Sequence, residues 1–243
     1  MGNTFKGAVV ALFLTGTLFF TASRAAAQGG AVIPKPTKKI YNPPYPNNDV
    51  KPFKIVGNVY YVGLTNFAAF LVSTPQGLIL IDTMDHEWVP KLRKNITDLG
   101  FKVSDIKILL QAHAHVDHVG GMAELKKETG ATVYVMAEDA SVLADGGVSD
   151  FRNFDHKQLW TPVKADKLLK DGDKVSLGGV TLTALLTPGH TKGCTTWTMD
   201  TEDGGRKYNV VFACSQRLND GVHLVNNPDY PNYAADYAKG FAK

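Results

Sequence analysis

Gln111-Ala112-His113-Ala114-His115-Val116-Asp117-His118-Val119-Gly120-Gly121 decides how this chain is read, because it places three imidazoles and a carboxylate within six consecutive residues. The apolar run 106–110 just before it has the length and composition of a buried strand, and Gly120-Gly121 opens a helical pattern starting at Met122. The histidines are therefore expected on a loop leaving a strand. In extended backbone, residues i and i+2 point the same way, so His113, His115 and Asp117 are expected to converge while His118 points elsewhere. Neutral imidazole and carboxylate are ligands that a borderline divalent ion such as zinc accepts, and two directions of presentation imply two adjacent ions.

A fourth histidine follows at Thr187-Pro188-Gly189-His190, where Pro and Gly force a turn just beyond a strand and can aim the ring inward. His113, His115 and His190 then make a three-nitrogen zinc site with an open fourth position, the arrangement that brings the pKa of bound water to about 7. Asp117 and His118 supply only two ligands for the second ion. His86, His156 and His223 are the remaining candidates, and lone histidines are more often polar surface residues.

Residues 1–27 combine Lys6 near the start, an apolar core over 8–20 and Ala25-Ala26-Ala27 before Gln28, the pattern of a secretory signal. Such a run is shorter than the roughly 20 apolar residues of a membrane span, so export to the periplasm or outside is expected, with no membrane partner after cleavage. Cleavage leaves 216 of 243 residues, enough for one large α/β domain, and 24 basic against 23 acidic residues, a balance that argues against a nucleic-acid partner. Cys194 and Cys214 are an even pair in an oxidising compartment, and a disulfide between them is expected. The competing reading makes one of them a soft metal ligand or nucleophile.

Residues 28–52 are rich in proline and asparagine and read as an extended arm. From residue 53 the chain reads as a meander over 53–56, 59–62, 67–73 and 78–81, then a helix carrying Trp88, Leu92 and Ile96 and closed by Gly100. After the histidine loop come a helix from Met122, a strand over 132–136 and a short helix over 138–144. Residues 146–160 lack a clean period, and their aromatics Phe151, Phe154 and Trp160 either hold substrate or cap the core. Strands over 174–177, 180–186, 195–199 and 209–213 complete two β-rich halves with helices between them, a sheet-on-sheet core. Tyr233, Tyr237 and Phe241 recur at i, i+4 and i+8, so a helix is expected to be still running at Lys243 and the record to be a C-terminal truncation.

His113-x-His115-x-Asp117-His118, Asp82 after a strand and the Thr187-Pro188-Gly189-His190 turn resemble the metallo-β-lactamase superfamily. Residues 190–197 (HTKGCTTW) and Phe212-Ala213-Cys214-Ser215 are similar to subclass B3 of the zinc β-lactamases. The resemblance implies an α/β fold, the αβ/βα four-layer sandwich, with two mixed sheets face to face and helices outside. It implies a domain over 53–243 that lacks a C-terminal strand and part of a helix, and a last second-zinc histidine beyond Lys243. Ser215 stands where related lactonases and thioester hydrolases carry a bridging Asp, and where another β-lactamase subclass carries a Cys.

The function implied is hydrolysis of a β-lactam by zinc-bound hydroxide oriented by Asp117, with two Zn2+ per full-length monomer and resistance to these antibiotics as the consequence. Asp82 is expected to support the histidine loop from behind the ligands, and Ser215 and Arg217 to bind the substrate carboxylate. The alternatives are another exported metallo-hydrolase, acting on a lactone, thioester or phosphoester, and an inactive zinc-binding fragment.

Overall fold

Alternation of apolar residues accounts for the first sheet. The computed structural model describes residues 50–219 and 221–243, and the expected signal segment and the arm as far as residue 49 lie outside the described residues. Seven strands pair in sequence order: β1 (Phe53–Val56), β2 (Val59–Tyr61), β3 (Phe70–Thr74), β4 (Gly77–Ile81), β5 (Ile106–Leu110), β6 (Thr132–Met136) and β7 (Lys167–Leu169). The first four form an antiparallel meander, and β4 to β7 run parallel. Parallel pairing requires crossovers. These carry α1 (Val89–Asp98), α2 (Val116–Val119), α3 (Met122–Thr129) and α4 (Ala140–Ala144).

Side chains of successive strand residues go to opposite faces. Leu78 and Leu80 of β4 therefore join Leu92, Ile96, Met122 and Leu125 in a core under the helices, while Ile79 and Ile81 join a second core. That second core is completed by the other sheet, of order β11-β10-β9-β8, made of β8 (Lys174–Leu177), β9 (Val180–Leu186), β10 (Thr195–Asp203) and β11 (Arg206–Phe212). Leu182, Ala184, Leu186, Trp197 and Phe212 face inward from it. Fully burying one such aliphatic or aromatic side chain is worth about 1.5–3 kcal/mol, so each sheet depends on the other for its inner face.

Three expectations need correction. Only the first sheet is mixed; pairing in the second is antiparallel among the described residues. β3 starts at Phe70 rather than residue 67, because Val62 and Ala69 pair across a loop in which Leu64 N donates to Phe67 O. The three-residue edge strand β7 has no alternating pattern to announce it, with Lys167 and Leu168 both exposed. At the C-terminal end, α5 (Tyr233–Phe241) stops two residues short of Lys243, and Ala242 N donates back to Ala238 O and Lys239 O.

Candidate metal centre

The chain leaves β5 at Leu110 and delivers its histidines along the rim between the two sheets. The loop is not extended throughout. His115 is extended (φ −122°, ψ 157°), but Val116–Val119 closes one helical turn, so Asp117 and His118 are presented side by side rather than by strand alternation. Asp117 thus does not continue the direction of His113 and His115 as expected. It groups instead with His118, and His113 stands between the two sets. The turn packs tightly against the segment after β4. A side-chain carbon at Gly120 would meet Asp85 Cα at 2.8 Å, which is why no larger residue fits there.

His190 arrives from the end of β9, and the rings of His113, His115 and His190 lie 4.5–4.8 Å apart centre to centre. His115 Nδ1 faces His190 Nε2 at 3.2 Å, and His113 Nε2 is buried with no hydrogen-bond partner. Converging imidazole nitrogens with an orphaned buried acceptor fit a bound metal, since leaving such groups unpaired in the interior otherwise costs about 1–3 kcal/mol each. Burial, then the neighbouring histidines and Arg152, hold His113 well below its ordinary pKa, and burial with His115 pushes His190 down to about 3. Both are neutral near pH 7, as ligation requires.

His118 behaves differently. Burial works against its charge, yet the Asp82 and Asp117 carboxylates outweigh that and lift it to about 9. Its Nδ1 donates to Asp82 Oδ2 at 2.8 Å, while Nε2 lies 3.5 Å from Asp117 Oδ2. Asp82 also accepts Ala112 N through Oδ1 at 2.7 Å, so it supports the loop from behind. It does so from a left-handed backbone, φ 66°, a conformation that Asp tolerates better than most residues.

These values set a pH dependence for metal-free protein. In the unfolded chain the histidines titrate near 6.5, so below that pH the unfolded state takes up protons that folded His113 and His190 refuse, and stability falls. The slope from the pair approaches about 2.7 kcal/mol per pH unit where both histidines are protonated in the unfolded chain and neutral in the folded one. His118, with its raised pKa, adds stability as pH falls from 9 to 6.5 and nothing further below. Urea unfolding of chelator-treated protein should therefore show the parent losing more stability between pH 6.5 and 5 than a His113→Gln/His190→Gln variant. Equal losses would contradict the assignment.

Several supporting residues gave no sequence signal. Asp139, 1% exposed at the start of α4, accepts Ala114 N (2.9 Å) and Thr191 Oγ1 (2.8 Å) on Oδ2 and Gly193 N (2.7 Å) on Oδ1. It thereby ties the His113–His115 loop to the His190 loop. Asn219 Nδ2 donates to His190 O, and Arg152 Nη1 donates to Asn219 Oδ1 at 3.2 Å. Such partners are found by folding, not by spacing.

Other candidates fall into place. Cys194 and Cys214 are joined in a disulfide, which leaves neither thiol to serve as a ligand even though both lie beside His113. Ser215 Oγ accepts Arg217 N at 3.3 Å. Arg217 has an exposed side chain, and its carbonyl accepts both His190 Nδ1–H (2.7 Å) and Tyr237 Oη–H (2.6 Å). His86, His156 and His223 are exposed and lie outside the cluster. Of the loop aromatics, Phe151 packs on Tyr230 and Tyr233, and Trp160 is buried under the helices, so these two cap the core.

Residues 63–201 match the profile of the Metallo-beta-lactamase superfamily. Among curated proteins, a hydroxyacylglutathione hydrolase of Rhodopseudomonas palustris is 29% identical over 160 residues, covering 66% of this chain and 47% of the relative. The chain thus spans about half the length of that relative. Among solved structures, FEZ-1 metallo-beta-lactamase from Legionella gormanii is 47% identical, covers 82% of this chain and 76% of its own, and superposes with a TM-score of 0.78. The class B3 di-zinc metallo-beta-lactamase LRA-12 from an Alaskan soil metagenome is 40% identical over 79% of this chain and 73% of its own, with a TM-score of 0.77. The histidine cluster, the two facing sheets and these likenesses agree: the chain belongs to the metallo-β-lactamase superfamily of hydrolases, and its structural neighbours are subclass B3 metallo-β-lactamases.

Proposed function

We propose that this chain is a zinc-dependent β-lactamase of subclass B3 type, exported to the periplasm and acting on small lactam antibiotics. The observation that carries the proposal is likeness to B3 β-lactamases at 40–47% identity across about four-fifths of the chain, against 29% to the hydroxyacylglutathione hydrolase over 66% of it. No helix among the described residues is long and apolar enough to cross a membrane.

His113, His115 and His190 would hold one zinc, and Asp117 with His118 would contribute to holding a second. When bound, the metal supplies Lewis acidity toward the lactam carbonyl and lowers the pKa of a water molecule. The protein's own groups do the rest. Asp117, part-exposed at the mouth of the cluster, orients the attacking water, takes its proton and returns it to the ring nitrogen as the C–N bond breaks. Asp82 accepts a hydrogen bond from His118 Nδ1, which turns Nε2 toward Asp117 as the nitrogen that a metal would take. Ser215, which is part-exposed, and the Arg217 guanidinium would offer a hydroxyl and a charge to a substrate carboxylate.

The second reading, favoured by the curated relatives, is a thioesterase acting on glutathione thioesters. The two separate cleanly by rate. Purified zinc-loaded protein is expected to open a chromogenic cephalosporin with a kcat/KM at least about 10²-fold above that for a hydroxyacyl-glutathione thioester, a difference of about 2.7 kcal/mol in transition-state binding. The reverse preference would sink the lactamase reading and leave the hydrolase family intact.

A further inference from the structure

Behind His115 lies a carboxylate outside the ligand set. Asp150 Oδ2 is 3.0 Å from His115 Nε2, and the two side chains are 3% and 1% exposed. That nitrogen is buried and makes no well-aligned hydrogen bond, so the Asp150 carboxylate is its ion-pair neighbour, while the opposite one, Nδ1, faces His190 Nε2 at 3.2 Å. A proton kept on Nε2 leaves the lone pair on Nδ1, so a carboxylate at this place selects the tautomer that presents Nδ1 to the cluster.

His118 and His190 are treated in the same way, by Asp82 Oδ2 on one Nδ1 and by Arg217 O on the other. Asp150 is itself fixed. Its Oδ1 accepts Arg152 N at 3.0 Å, its amide donates to Gly147 O at 3.2 Å and its carbonyl accepts Asn153 N at 2.8 Å. A buried carboxylate is costly unless paired, and here the pairing falls on one imidazole of the trio.

We propose that Asp150 is a positioning residue for His115, holding the Nε2 proton so that Nδ1 is turned, as a lone pair, toward the point where His113 and His190 converge. This rests on the metal-holding reading of the three histidines. The tight turn over 147–153 thus serves the centre from a loop far from it in sequence.

The test uses the full chain as parent, Asp150→Asn and Asp150→Glu, with zinc alone as the probe. Asn keeps an acceptor for Arg152 N and nearly the same volume, but it replaces Oδ2 with an amide that cannot accept from Nε2. Chelator competition is expected to show zinc affinity weakened about 10–100-fold in Asp150→Asn and partly restored in Asp150→Glu. The melting temperature of the metal-free protein should stay within about 2 °C of the parent, as expected when little folding energy is removed. The ligand-field spectrum of the cobalt-substituted Asn variant should shift as well. Zinc affinity in Asp150→Asn within about twofold of the parent would overturn the proposal, because a ligand-orienting carboxylate is worth more than that. So would a loss matched by an equal loss of metal-free stability and not relieved by Glu. A parent that binds no zinc would bring down the metal reading itself, a result distinct from parent and variant binding alike.

Discussion

His113→Ala is expected to abolish the first metal site and to cut kcat/KM toward a β-lactam by about 10³-fold or more, a loss of about 4 kcal/mol in transition-state stabilisation. His113 is the residue common to both groups of ligating atoms, on one side with His115 and His190 and on the other with Asp117 and His118. Its Nε2 is buried and unpartnered, so losing that nitrogen removes no hydrogen bond from the metal-free protein. Removing it should lower zinc stoichiometry by one while leaving circular dichroism unchanged. Activity within about tenfold of the parent, or about 1.4 kcal/mol, would show that the trio is not the reacting centre.

Asp139→Ala should act through stability instead. Three buried donors, Ala114 N, Thr191 Oγ1 and Gly193 N, lose their acceptor at once. Unsatisfied donors cost about 1–3 kcal/mol each, and because they share one partner the combined loss should be about 3–5 kcal/mol rather than the sum. At about 2–4 °C per kcal/mol for a domain of this size, the melting temperature should fall by roughly 10–15 °C. Zinc affinity should weaken with it, since the loops bearing His115 and His190 are no longer held together. Asp139→Asn, which keeps one acceptor oxygen, should lie between the two. Differential scanning calorimetry with and without chelator measures both effects, and a shift under about 2 °C would show that the clamp contributes little.

The fold and the ligand set were legible in the sequence to different depths. The strand before the histidine loop, the glycine pair after it and the turn carrying His190 all declare themselves through apolar runs and Pro/Gly chemistry, which are local. β7 did not, because a three-residue edge strand with exposed side chains carries no period. The helical turn at Val116–Val119 was hidden for a related reason: one turn is too short to show a pattern, and it re-aims Asp117 and His118. Of the residues that support the ligands, Asp82 was legible at the end of its strand, where it receives His118 Nδ1 and Ala112 N, but the others were not. Asp139 and Asp150 are acidic residues among the 23 in the chain, and nothing local distinguishes them from solvated ones. They become visible once β6 and the 147–153 turn fold back on the histidine loops.

Zinc K-edge X-ray absorption on the protein loaded with one equivalent of metal tests the central claim most directly. Coordination by His113, His115 and His190 predicts three imidazole nitrogens at about 2.0–2.1 Å, with outer-shell scattering from the rings and no sulfur. A first shell containing sulfur at about 2.3 Å, or one made of oxygen atoms alone, would contradict it.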